Sequence, residues 1–148
     1  MLCFMTTAVG AVQRKPVKLF PKDKCPVCGM FVAKYPDFVS EIIFRDGSYV
    51  VFDGVKDMLK FYFRPDKYQA KKKQTDIDSI YVTDYYDLTL IDGTKAFYVL
   101  GSDVYGPMGR ELIPFSSRVN AEEFRKDHKG KSVFEFREIT YDTLKGLD

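Results

Sequence analysis

The clearest alternation of apolar and polar positions lies in FVSEIIFRDGSYVVF, residues 38–52. Two β-rich runs flank Asp46-Gly47, and this dipeptide favours a type I′ hairpin between strands. The period then changes. In DGVKDMLKFYF, the apolar residues Val55, Met58, Leu59, Tyr62 and Phe63 recur at helical spacing. Asp53 is placed to cap that helix, and Pro65 to stop it. A polar stretch follows, and SIYVTDY reads as a further strand.

The second half repeats the order. LTLIDGTKAFYVLGS carries another Asp-Gly hairpin signal, and ELIPF (111–115) is a short strand. A helix is expected from about Asn120, with Asn120 and Glu123 as a capping box, Ala121, Phe124 and His128 on one face, and Gly130 at its end. SVFEFREI is the closing strand and YDTLKGL a last short helix. YVVFDGVKDMLKFY and ELIPFSSRVNAEEF share a strand–Phe–loop–helix order. The pattern predicts an α+β protein of two related ββαβ lobes packed together. Residues 1–20 form an apolar segment and linker, 21–86 the first lobe and 87–148 the second. In the second lobe, DVYGPMGR is expected as a long loop that holds Met108 between Pro107 and Gly109.

Composition narrows the function. Of 148 residues, 45% are hydrophobic and 16% aromatic, enough for a core and against wholesale disorder. A net charge of +2 gives no footprint for nucleic acid, and Lys71-Lys72-Lys73 reads as a solvated loop. A single histidine excludes schemes that need two imidazoles. MLCFMTTAVGAV has the length of a signal-peptide apolar region and is too short to span a membrane. Ala8-Val9-Gly10 is a passable cleavage site, so export is expected. Cys3 suggests a lipid anchor, although Leu2 before it suits one poorly.

The candidate chemistry sits in KCPVCGM, residues 24–30. A dithiol redox pair needs its first thiol at a helix N-terminus after a strand, and KPVKLFPKDK upstream is no clean strand. Structural zinc needs four ligands. Cys25 and Cys28 supply two, leaving Cys3 and His128, which share no ligand spacing. Copper(I) is soft, prefers thiolate and thioether sulfur, and accepts two or three ligands. Cys28-Gly29-Met30 offers both sulfur types in one turn, and Met108 stands in a second Gly- and Pro-bearing segment. Met58, on an apolar helix face, reads as core.

CPVCGMFVAKYPDF, YVTDYYD, KAFYVLGSDVYGPMGRELIPF and VFEFREI together resemble the NosL family, accessory proteins of nitrous oxide reductase, from about Cys25 to the C-terminus. The resemblance implies a periplasmic copper(I) chaperone, usually lipid-anchored, with two ββαβ lobes related to the core of organomercurial lyase. It places copper ligands at Cys28, Met30 and Met108. Cys25 is an extra thiol beside the family pattern, either a further ligand or a disulfide partner of Cys28. Nitrous oxide reductase, or the machinery assembling its copper centres, is the implied acceptor. A monomer that binds and delivers, rather than an enzyme, is expected, with or without a membrane tether. The enzyme alternative is a thiol catalyst, either a dithiol–disulfide oxidoreductase or an organomercurial-lyase-like protein. His128 reads as a cation at a helix C-terminus.

Overall fold

The computed structural model describes residues 13–148. Residues 1–12, and with them the expected export signal and Cys3, lie outside the described residues. The first sheet is built from β1 (Ser40–Phe44), β2 (Tyr49–Phe52), β3 (Ile77–Thr83) and β4 (Leu90–Asp92), in the order β2-β1-β3-β4. The second contains β5 (Phe97–Gly106), β6 (Gly109–Phe115) and β7 (Ser132–Glu135), in the order β6-β5-β7. All pairs are antiparallel. Helix α1 (Val55–Phe63) follows β2, a short α2 (Pro65–Tyr68) follows it, α3 (Arg118–Asp127) follows β6, and α4 (Tyr141–Lys145) comes last. The segments β1-β2-α1-β3 and β5-β6-α3-β7 therefore share one connectivity and one strand order. The α+β class with two ββαβ lobes is as the sequence predicts.

Several local expectations are corrected. Only Gly47 of the Asp46-Gly47 pair has positive φ, and its N–H donates to the Phe44 carbonyl at 2.9 Å. The loop is thus a type I turn closed by a glycine bulge, not type I′. α1 does end before Pro65, as expected, but Pro65 then starts the short α2, where its missing N–H costs nothing. Helix α3 begins two residues before Asn120, capped by Ser117, whose hydroxyl accepts from Asn120 N–H at 3.1 Å. Strand β4 pairs with β3, so Asp92-Gly93 closes no hairpin with β5. It carries the chain between sheets, and Tyr98 Oη holds it there through the Gly93 carbonyl at 2.6 Å. Lys72 is half-buried rather than solvated, 4.1 Å over the Phe44 ring and 3.0 Å from Asp46.

Residues 103–110 are a hairpin, not a long loop. β5 runs to Gly106, pairs across with Gly109, and leaves Pro107-Met108 at the tip. Alternation in β5 and β6 explains how the lobes join. Val99, Ile113 and Phe115 pack with Ala121 and Phe124 of α3. Tyr98 and Leu112 face the other way, into a core shared with Ile42, Phe44, Phe52, Met58, Leu59 and Phe61 of the first lobe. Asp84, fully buried, ties the junction by accepting from Ser116 N–H at 2.6 Å and from Tyr86 and Asp87 N–H at 2.9 Å.

The first turn of α1 is held from the second lobe. Asp53 does not cap it, and no side chain of the N-cap residue Gly54 can. Glu111 of β6 does so instead, its Oε1 accepting from Lys56 N–H at 2.6 Å. A Cβ on residue 54 would lie 2.2 Å from Glu111 Oε2, so only glycine admits the carboxylate. Burial pushes the Glu111 carboxyl up to about 8, against the pull of the Leu112 and Lys56 N–H groups and the Lys56 charge.

Its protonation therefore favours the folded state. That contribution is complete below the ordinary carboxyl range near 4.3 and is lost as pH rises through about 8. Wild-type protein is expected to lose stability over this window by up to ~1.4 kcal/mol per pH unit more than Glu111→Gln. Chemical denaturation of both at three pH values checks this. Parallel pH profiles would contradict it.

Candidate metal centre

The segment Lys24–Phe31 folds back on itself. Lys24 and Phe31 form an isolated antiparallel bridge, Cys25 N–H donates to the Met30 carbonyl at 2.9 Å, and Gly29 N–H donates to the Cys25 carbonyl at 2.9 Å. Gly29 has φ +79°, which lets the chain reverse within this turn. Lys24 and Lys34 lie over the Phe31 ring, at 4.7 and 5.6 Å. Both thiols are free. Cys25 is 1% exposed, and Cys28 and Met30 are half-buried.

The turn is pressed against the start of α1. Cys28 Sγ lies 3.2 Å from Asp53 Oδ1, and Cys25 Sγ lies 3.6 Å from Asp57 Oδ2. One ligand atom from each of Cys25, Cys28, Asp53 and Asp57 lies within 4.8 Å of all the others. Asp53 and Asp57 are 1% and 3% exposed. Asp53 Oδ2 has no hydrogen-bond partner among the described residues. Sequence reasoning missed both carboxylates as site residues. Their i, i+4 spacing across a predicted helix start, which puts two acids on one face, was the available signal.

Burial pushes the Cys25 thiol up to about 11, although the Cys28 and Val27 N–H groups draw it down. Burial raises Cys28 as well, reinforced by its contacts with Asp53 and Cys25. A nucleophilic or redox-active cysteine needs the opposite shift. The environment suits thiols that remain protonated until a metal displaces the proton.

Met108 approaches the same helix turn from the other lobe. Its carbonyl accepts from Lys56 Nζ at 2.8 Å, and its side chain, 41% exposed, stands on the β5–β6 tip. Met108, Lys56, Asp57, Lys60 and Tyr105 share an open cleft of about 450 Å³. Asp57 thus faces Cys25 on one side and the Met108 cleft on the other. His128 belongs elsewhere. It ends α3, stacks on Phe124 at 4.3 Å and pairs through Nδ1 with Asp103 at 2.9 Å.

The NosL family model matches residues 16–144. The crystal structure of the copper chaperone NosL from Shewanella denitrificans superposes with a TM-score of 0.74 at 25% identity, covering 86% of this chain and 97% of that one. The solution structure of apo-NosL from Achromobacter cycloclastes gives a TM-score of 0.51 at 29% identity, covering 71% and 87%. In sequence, the chain is 29% identical to the copper-binding lipoprotein NosL of Stutzerimonas stutzeri, over 94% of this chain and 76% of that protein. These relatives carry the names of binding and delivery proteins, not of enzymes.

The thiols of the metal-free, reduced protein should alkylate more slowly at about pH 8 than free cysteine, whose pKa is near 8.5. The rate should keep rising to at least about pH 10, since Cys25 titrates near 11. Iodoacetamide trapping with mass spectrometry reads both rates. Alkylation at pH 7 faster than that of free cysteine would restore the thiol-catalyst reading.

Proposed function

This chain belongs to the NosL family, and we propose that it is a copper(I) chaperone of the periplasm. It holds one Cu(I) through Cys28, Met30 and Met108, with Cys25 as a further or substitute ligand. The acceptor is nitrous oxide reductase or the machinery that assembles its copper centres. The chain acts as a monomer. A relative named as a lipoprotein supports an envelope location with a membrane tether. No helix of the described residues is long and apolar enough to cross a membrane.

One observation carries the reading. The cysteine turn and the Met108 hairpin, far apart in sequence and in different lobes, both abut the first turn of α1. Cu(I) is matched by thiolate and thioether, and it accepts low coordination numbers. Its binding replaces the thiol protons, so affinity rises with pH. Delivery needs ligands that can leave one at a time. Cys28 is half-buried and Met108 is exposed at a hairpin tip, so an incoming thiolate or imidazole reaches copper from that side while Cys25 stays covered.

Cys28→Ser is expected to weaken Cu(I) binding far more than Cys25→Ser, because only Cys28 belongs to the Cys-Gly-Met unit. Met108→Ala should cost at least ~10-fold in affinity. Competition against a chromophoric Cu(I) chelator under anaerobic, reducing conditions measures all three. Equal losses at both cysteines would point to a two-thiolate site, and unchanged binding in Cys28→Ser would overturn the reading.

A further inference from the structure

The basic run Lys71-Lys72-Lys73 does not stand alone. Arg45 Nε donates to the Thr75 carbonyl at 3.1 Å, and the Arg14 guanidinium donates to the Arg45 carbonyl at 2.8 Å. Arg14 also lies over Gly47 of the β1–β2 turn, and Lys72 reaches the same turn, 3.0 Å from Asp46. Arg14, Lys15, Arg45 and the three lysines thus gather around Asp46-Gly47. The acids among them are already engaged. Asp46 pairs with Lys72, Asp76 accepts from Lys73 N–H at 2.9 Å, and Asp78 accepts from Arg14 N–H at 3.3 Å. Lys71 and Lys73 are exposed and enter no ion pair among the described residues. Phe44, Arg45, Asp46, Lys71, Lys72 and Asp76 line an open cleft of about 480 Å³.

This face lies at the end of the first sheet opposite the cysteine turn. β1 and β2 lead from it to Ser40 and Phe52, roughly 15 Å away. Asp53 and the first turn of α1 follow at once. The N-terminal segment joins the two ends. Arg14 sits on the basic face, Val17 N–H donates to Glu41 Oε2 at 2.9 Å farther along β1, and the chain then reaches Cys25. The described chain therefore enters the fold through the basic face.

We propose that this face rests on a bilayer containing anionic phospholipid, with a phosphodiester headgroup in the Arg45–Lys72 cleft, and that the cysteine turn and the Met108 hairpin point away from the membrane. Clustered Lys and Arg side chains are drawn to an anionic lipid surface within a Debye length. A single acyl chain holds a protein only marginally, and a basic patch supplies the second hold. For the tether proposed above, chain entry and basic patch on one face fix the orientation of the domain, so its sulfur groups face a soluble partner. The inference rests on the envelope location and not on copper. Failure of lipid binding leaves the copper reading standing, and loss of Cu(I) binding leaves the basic face standing.

The test is cosedimentation of the full chain with vesicles of phosphatidylcholine alone or of equal parts phosphatidylcholine and phosphatidylglycerol. Binding is expected to be at least ~10-fold tighter to the anionic vesicles and to weaken as salt rises. Changing Lys15, Lys71 and Lys73 together to Gln should cost at least ~10-fold. The same charge change at the exposed residues Lys24, Lys34 and Lys126, away from this face, should cost less than ~2-fold. Hydrogen exchange read by mass spectrometry should show lipid protection at residues 45–48 and 71–76, and none at 24–31 or 105–109. Circular dichroism establishes that both triple variants fold. Equal losses from the two triple variants, protection centred on residues 24–31, or competition by inorganic phosphate as strong as that by the lipid would each overturn the proposal.

Discussion

The site depends on how one helix end is held. The first turn of α1 has free N–H groups that its own cap residue, Gly54, cannot satisfy. Glu111 reaches across from β6, 55 residues later in the chain, and accepts from Lys56 N–H in a buried contact. That bond fixes the second lobe against the first at the place where both bring their proposed metal ligands. Lys56 extends the tie. Its ammonium group reaches the Met108 and Leu147 carbonyls, at 2.8 and 3.3 Å, so the hairpin tip and the C-terminal segment are fastened to the same turn.

Function follows from the two sides of that turn. One side carries Asp53 and Asp57 against the cysteine knuckle, and the other carries Lys56 and Lys60 against the Met108 cleft. The cysteine side is packed and largely covered. The Met108 side is open, on a hairpin that projects beyond the α3-covered part of its sheet. In the proposed function, the covered half would hold the metal and the accessible half would let it go. Both cores close around apolar side chains of the strands and helices, so the chain is expected to fold without an ion. This is unlike a zinc finger, in which the metal supplies the folding free energy.

Much of the fold was legible because the helices and inner strands obey simple periods. Val55, Met58 and Leu59 on α1, and Ala121 and Phe124 on α3, are buried as their spacing implies. The Met108 segment was misread because none of Ser102–Gly109 is fully buried, so the strand's inward and outward positions are not marked by apolar and polar residues. The register shift between Leu100 and Tyr105 blurs it further. Cys25 and Cys28, which the structure brings together with Asp53 and Asp57, stood out from local spacing and from resemblance, as did Met30 beside them. Asp53 was misassigned as a cap because its competitor, Glu111, is distant in sequence. Asp57 drew no notice, since an acid in the first helical turn has an ordinary electrostatic reason to be there. Pairings across the lobe junction leave no local trace in a single sequence.

The central claim is that sulfur from both lobes meets at one copper ion. X-ray absorption at the copper edge, on reduced protein loaded with one equivalent of Cu(I) and compared with Met108→Ala, tests it most directly. The account predicts a first shell of sulfur alone, with one sulfur fewer or a light-atom replacement in the variant. A first shell already containing oxygen or nitrogen in the wild type, or an identical shell in the variant, would contradict it.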